Sequence, residues 1–251
     1  MPRIIIKTEE EIQAMREGGK ILANCLKETA KLAIPGASTL DLDLFAEKYI
    51  RDHNGTPSFK GYHGFPATLC TNVNSVVVHG IPKKDEILKE GDIISIDCGV
   101  IYKGLHTDST VLVGVSNISD SKKKFISVAG EALAQAIATI KPGAFVGDIS
   151  QAIEHQVTKN GYSVVTELTG HGVGRNLHES PVIPNRYEGR GDELAPGMTL
   201  AIEPIFAMGS PKIETLRDKW TIVTLDNSPA AQIEHTVLVT ESGYEILTKC
   251  D

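Results

Sequence analysis

The sequence lacks the features that would place it in several large classes. Its four cysteines, Cys25, Cys70, Cys98 and Cys250, are scattered without a CxxC spacing. That fits free thiols in a reducing compartment and neither a disulfide framework nor a zinc knuckle. No basic block is longer than Lys122-Lys123-Lys124, and a net charge of −7 with a pI near 5.6 speaks against nucleic acid as a ligand. Apolar runs are strand-length and interrupted, so neither a secretory signal nor a membrane association is expected, and the chain reads as cytoplasmic. No Ser- or Pro-rich linker divides it, so residues 1–251 read as a single domain, with 41% apolar content to fill its core. The glycines of Gly170-His171-Gly172-Val173-Gly174 form no phosphate-binding GxGxxG in a strand–turn–helix frame. A DxDxDG calcium loop and a GxSxG nucleophile elbow are missing as well.

What is present centres on residues 91–114, GDIISIDCGVIYKGLHTDSTVLVG. Two alternating, β-branched runs, 93–101 and 105–113, flank a tight turn at Tyr102-Lys103-Gly104, the signature of a β-hairpin. In that hairpin Asp97 and Asp108 share a face, directly opposite or one diagonal step apart, within roughly 5–8 Å. Two like charges that close in apolar strands are costly unless a cation lies between them. Taken alone, the hairpin leaves open a solvated edge with two unrelated aspartates.

The second half repeats the layout. Gly197-Met198-Thr199-Leu200-Ala201-Ile202-Glu203 matches Gly91-Asp92-Ile93-Ile94-Ser95-Ile96-Asp97, and Glu234-His235-Thr236-Val237-Leu238-Val239 matches Asp108-Ser109-Thr110-Val111-Leu112-Val113. The helix-like stretches after Pro35 and Pro142 also correspond. The pattern reads as an internal pseudo-repeat, roughly 34–115 and 141–240, with an insertion near 206–228, and it puts an acid pair in each half.

Helices are expected over 8–33, opened by Thr8 with first-turn acids, and from Ser38 to about His53. Two more are expected over 120–140 and 147–160, the last closed by Gly161. Residues 59–66 read as an aromatic, glycine-rich loop able to wall a pocket, and 67–81 as one strand ending in His79. A lone histidine is more often structural, and the glycine-dense segment around His171 and His178 reads equally well as a flexible loop.

Asp97, Asp108, Glu203, Glu234 and His171 together are hard, oxygen-rich ligands with more negative charge than one divalent ion needs. They suit a two-metal site for Mn²⁺, Fe²⁺, Co²⁺ or Zn²⁺. Two such ions about 3.5–4 Å apart lower the pKa of a shared water toward neutral and polarise a carbonyl, the chemistry of amide or ester hydrolysis.

The combination YHGFP, VVVHGIP, GDIISIDCG, HTDST, TGHGVGRNLHESP, PGMTLAIEP and EHTVLV resembles the type I methionine aminopeptidases, over nearly the whole chain and in order. The resemblance implies an α+β pita-bread fold: two pseudo-symmetric halves with a central antiparallel sheet covered by helices. It implies two divalent ions per chain (Co, Mn, Fe, Zn or Ni), with Asp108 and Glu234 bridging, Asp97 on one ion, and His171 and Glu203 on the other. Glu203 would also carry a proton from the attacking water to the leaving amine. His178 would face the scissile carbonyl oxygen and His79 the peptide nitrogen. Tyr62, Phe65, Cys70 and Trp220 would line the methionine pocket, with Phe59 and Leu177 at its rim. Leucine at 177 departs from the aromatic residue common in the family. Without a zinc-finger-like or proline-rich N-terminal extension, the chain resembles the short bacterial form. Its expected partners are nascent polypeptide or peptide N-termini, met in a transient ribosome encounter, with no nucleic acid or membrane and a monomeric state. By the family's rule Pro2 is small enough for Met1 to be removed. A proline-specific aminopeptidase or dipeptidase of the same fold, or a non-catalytic pita-bread binding protein, are the alternatives. The first usually carries an extra N-terminal domain, and the second loses ligands that are intact here.

Overall fold

The computed structural model describes residues 4–250, so Met1 and Pro2 lie outside the described residues. Helix α1 (Glu9–Lys31) opens on a capping box. The Glu11 N–H donates to Thr8 Oγ1 at 3.3 Å, and the Thr8 N–H to Glu11 Oε2 at 2.8 Å. Ser38 and Asp41 repeat the device at α2 (Thr39–Asp52). Helices α3 (Asp120–Ala138) and α4 (Val146–Lys159) follow the hairpin, and Gly161, just past the α4 cap, takes a positive φ of 81°.

The first half contributes strands β1 (Thr56–Pro57), β2 (Leu69–Val73), β3 (Val76–Val78), β4 (Ile93–Tyr102) and β5 (Leu105–Gly114). The second contributes β6 (Ser163–Val164), β7 (Thr169–Gly172), β8 (Glu179–Pro184), β9 (Thr199–Ile202), β10 (Ile205–Ala207), β11 (Ile213–Thr215), β12 (Ile222–Thr224), β13 (Ala230–Gln232), β14 (His235–Val239) and β15 (Tyr244–Ile246). The expected hairpin is β4–β5. Tyr102 pairs with Leu105 around a two-residue turn in which Lys103 and Gly104 have φ of 49° and 82°, a combination that glycine makes affordable.

Two sheets carry the site. In one, β4 is hydrogen-bonded to β1, β2 and β5; in the other the order is β15-β14-β9-β7-β8, antiparallel throughout. They meet at an isolated bridge between Thr110 and Glu234. Beside it the Asp108 N–H donates to Thr236 Oγ1 at 2.9 Å, and that hydroxyl donates back to the Asp108 carbonyl at 2.7 Å. Helices α1 and α2 bury Leu22, Leu26, Leu42 and Ile50 against Ile94, Ile96 and Val100 of β4. Helices α3 and α4 bury Phe125, Leu133, Ile149 and Ile153 against Leu200, Ile202 and Val237. Helix α1 packs so close to the chain's end that a Cβ on Gly19 would sit 2.2 Å from the Leu247 carbonyl oxygen.

The single strand expected over 67–81 is two strands. Asn74 adopts a φ of 51° between them, which Asn tolerates better than most residues, so β3 leaves β4 and pairs with β12.

Candidate metal centre

Asp97 and Asp108 lie one diagonal step apart, because Asp97 pairs with Thr110 and Gly99 with Asp108 across the β4–β5 ladder. Glu203 follows β9 and Glu234 precedes β14, at the end where His235 pairs with Ile202. His171 lies on β7 opposite Ala201 of β9, so the glycine-dense segment is a strand where it carries this imidazole. The Thr110–Glu234 bridge then closes the two acid pairs into one cluster.

All four carboxylates are buried, between 2% and 8% exposed. Burial, opposed by hydrogen bonds from Thr110, Gln232 and Cys70, pushes the Asp97 carboxyl up to about 7. Burial, then the charge of its neighbours, raises Asp108, Glu203 and Glu234 well above the ordinary carboxylate range. Thr110 Oγ1 lies 3.0 Å from Asp97 Oδ1 and 3.1 Å from Glu234 Oε2. Asp108 Oδ1 and Glu234 Oε1 are buried with no hydrogen-bond partner. Such orphaned anionic oxygens cost several kcal/mol unless a cation meets them (about 1–3 kcal/mol per unpaired polar group, more when charged).

His171 Nδ1 lies 2.8 Å from the Gly172 carbonyl, which can only accept, so this nitrogen carries the proton. Burial lowers the ring to about 3 and keeps it neutral. The bare Nε2 therefore faces Glu203 Oε1 at 3.5 Å, its lone pair turned into the cluster. Ligand atoms of Asp108, His171 and Glu234 lie within 4.8 Å of one another. Orphaned oxygens, an inward-turned lone pair and a set of four carboxylates with one imidazole fit divalent ions of the Mn–Zn series.

The cluster opens into a cavity of about 700 Å³. Phe59, Phe65, Cys70 and Leu177 form its buried apolar wall, with Tyr62 and Trp220 half-exposed beside them. Leu177 and Phe59, at 3% and 7% exposed, are about as buried as Phe65 and Cys70, both at 4%. Trp220 lies between β11 and β12. Pairing of β12 with β3 carries it next to His79, ring centroids 6.3 Å apart, and to Phe65 at 5.1 Å.

His79 follows β3 with a φ of 58°; burial, then neighbouring His178, lowers it to about 4. His178 accepts or donates at Nδ1 with the Tyr62 hydroxyl at 2.9 Å and stacks edge-on to His171, centroids 4.4 Å apart. Burial, then His63, lowers its pKa too, so both histidines are neutral near pH 7. Sequence reasoning missed Thr110, Gln232 and Asn72. The period of two was their signal, since Thr110 follows Asp108, Gln232 precedes Glu234, and Asn72 follows Cys70 on the same strand faces.

A buried acidic cluster beside an apolar cavity and two neutral histidines defines a metallohydrolase. The sequence profile of metallopeptidase family M24 matches residues 13–241, and the chain belongs to that family. A methionine aminopeptidase 1 of Bacillus subtilis is 47% identical over 247 residues, covering 98% of this chain and 99% of its own length. The crystal structure of methionine aminopeptidase from Thermotoga maritima superposes with a TM-score of 0.97 at 43% identity, covering 98% of this chain and all of that one. Prolidase from Pyrococcus furiosus shares the fold at 24% identity and a TM-score of 0.81; this chain spans 66% of its length. The α+β pita-bread architecture expected from the sequence is therefore the fold observed.

Proposed function

We propose that the chain is a metal-dependent methionyl aminopeptidase that releases N-terminal methionine from nascent proteins and peptides with a small second residue. The observation that carries this reading is a register pairing: Cys70 in the pocket wall lies directly across from Asp97. Paired residues share a face and sit about 4.5–5.5 Å apart, so the side-chain pocket begins one strand away from the carboxylates. A methionine side chain, unbranched and polarizable, fills such walls well, and its free α-amino group then reaches the negative cluster.

Asp97, Asp108, His171, Glu203 and Glu234 would hold the metal, and the charge of four carboxylates would suit two divalent ions. When bound they acidify water and polarise the scissile carbonyl. Glu203 takes the proton of the attacking water and delivers it to the amide nitrogen as the C–N bond breaks. His178, with Nδ1 accepting from the Tyr62 hydroxyl, offers Nε2–H to the carbonyl oxygen as it gains charge. Neutral His79 faces the peptide nitrogen. The reading includes an internal duplication, one acid pair per half within a single domain, and a monomer that meets emerging chain termini in the cytoplasm. Among the described residues no helix is long and apolar enough to cross a membrane.

The test is a peptide panel read by mass spectrometry. Met-Gly, Met-Ala and Met-Ser peptides should be cleaved fast, Met-Leu and Met-Lys slowly, and N-acetyl-Met peptides not at all. Release of residues before proline, with poor use of methionine, would point to a prolidase-like enzyme.

A further inference from the structure

The two oxygens of Glu203 have different surroundings. Oε1 faces His171 Nε2, whereas Oε2 accepts from Gln232 Nε2 at 3.3 Å. The Gln232 oxygen accepts in turn from Asn72 Nδ2 at 3.0 Å, and Asn72 Oδ1 accepts from the Gly80 N–H at 2.9 Å. Gly80 follows His79 and is itself pinned to β2, where the Thr71 N–H donates to the Gly80 carbonyl at 2.8 Å. A Cβ on Gly80 would lie 2.3 Å from the Thr71 carbonyl oxygen. Asn72 and Gln232 are 2% and 4% exposed.

The direction of this chain is decided at one end. A backbone N–H can only donate, so Asn72 must turn its oxygen to Gly80 and its NH₂ to Gln232. Gln232 must then turn its oxygen to Asn72 and its NH₂ to the carboxylates. We propose that Asn72 and Gln232 are positioning residues: a directional amide relay that holds Glu203 Oε2 and ties the His79–Gly80 backbone to Glu203. It rests on the roles given above to Glu203 and His79. Glu203 Oε1 is thereby left for the centre, and the two groups on either side of the scissile bond move as one unit.

Asn72→Asp tests the direction. The new carboxylate still accepts from Gly80 but cannot donate, so Gln232 turns its NH₂ toward residue 72 and its oxygen toward Glu203. In the Mn²⁺-loaded protein, kcat on a Met-Ala peptide should fall about 10–100-fold with KM little changed. Titration of the chelator-stripped protein with Mn²⁺ should show affinity reduced by about 10–100-fold, the range for losing a partner of a ligand. Asn72→Ala, which adds no charge, covers the case in which the aspartate variant fails to fold. In a Gln232→Leu background either change at 72 should add less than about twofold, because residues acting through one another are not additive. Wild-type kcat and Mn²⁺ affinity in both variants at 72, or multiplicative losses in the double variants, would overturn the relay. Inactivity of the wild-type protein on methionyl peptides would sink the proposed function instead, and the Mn²⁺ titration would still decide the relay.

Discussion

Removing metal should make the protein's stability fall as pH rises. Burial holds the Asp97 carboxyl at about 7 against an ordinary value of 3.8. Between those values the folded, metal-free chain keeps a proton that the unfolded chain has released. Stability is then greatest below about pH 4 for this group and is lost as pH climbs through 7. At about 1.4 kcal/mol per pH unit, the Asp97 displacement alone is worth about 4 kcal/mol. Asp108, Glu203 and Glu234, also raised, act in the same direction. Between pH 5 and 8 the share lost is about 3 kcal/mol, which for a chain of this size is a drop of roughly 5–10 °C in Tm. Ligand carboxylates must be deprotonated to bind, so Mn²⁺ should restore more stability at pH 8 than at pH 5. The assay is thermal unfolding followed by circular dichroism from pH 5 to 8, on chelator-treated protein with and without excess Mn²⁺. A metal-free Tm that stays flat or climbs across this range would refute the reasoning, as would a Tm indifferent to Mn²⁺.

Four substitutions probe other parts of the molecule. Asp108→Asn should abolish most activity and at least one metal per chain by elemental analysis, since an amide cannot supply two anionic oxygens; two retained metals with near-normal turnover would exclude a bridging role. His178→Ala should lower kcat about 10²–10³-fold without changing metal content, whereas His171→Ala should weaken metal retention itself; the reverse pattern would mean their roles are exchanged. Lys7→Met should leave Glu179 as an unpaired charge in a pair whose side chains are 1% and 2% exposed. The expected cost is about 3–5 kcal/mol in denaturant unfolding, and an unchanged midpoint would contradict it.

Much of this was legible in the chain because it is written in local periods. Alternation over 93–113 with Gly104 at the turn specifies the β4–β5 hairpin, and the strand period of two brings Asp97 and Asp108 to one face. The copied layout around Glu203 and Glu234 supplied the second pair. Other features have no local mark. Asn74 interrupts a run of valines through a backbone rotation that its neighbours do not announce. The depth of Leu177 depends on how the segment after β7 folds back over Phe59. The Asn72–Gln232 contact spans 160 residues of sequence, and only the assembled sheets bring it together.

The bridge between Thr110 and Glu234 sets a schedule as well as a geometry. It joins positions 124 residues apart, so Glu234 is made long after Thr110. During synthesis the β4–β5 hairpin, His79 and the aromatic pocket wall emerge first, with two acids and nothing to complete them. A chain clipped ahead of residue 234 lacks the Glu234 carboxylate, its hydrogen bond from Thr110 and the bridge between the two sheets. The acid cluster thus closes only where β14 docks on β9 and Glu234 bridges to Thr110.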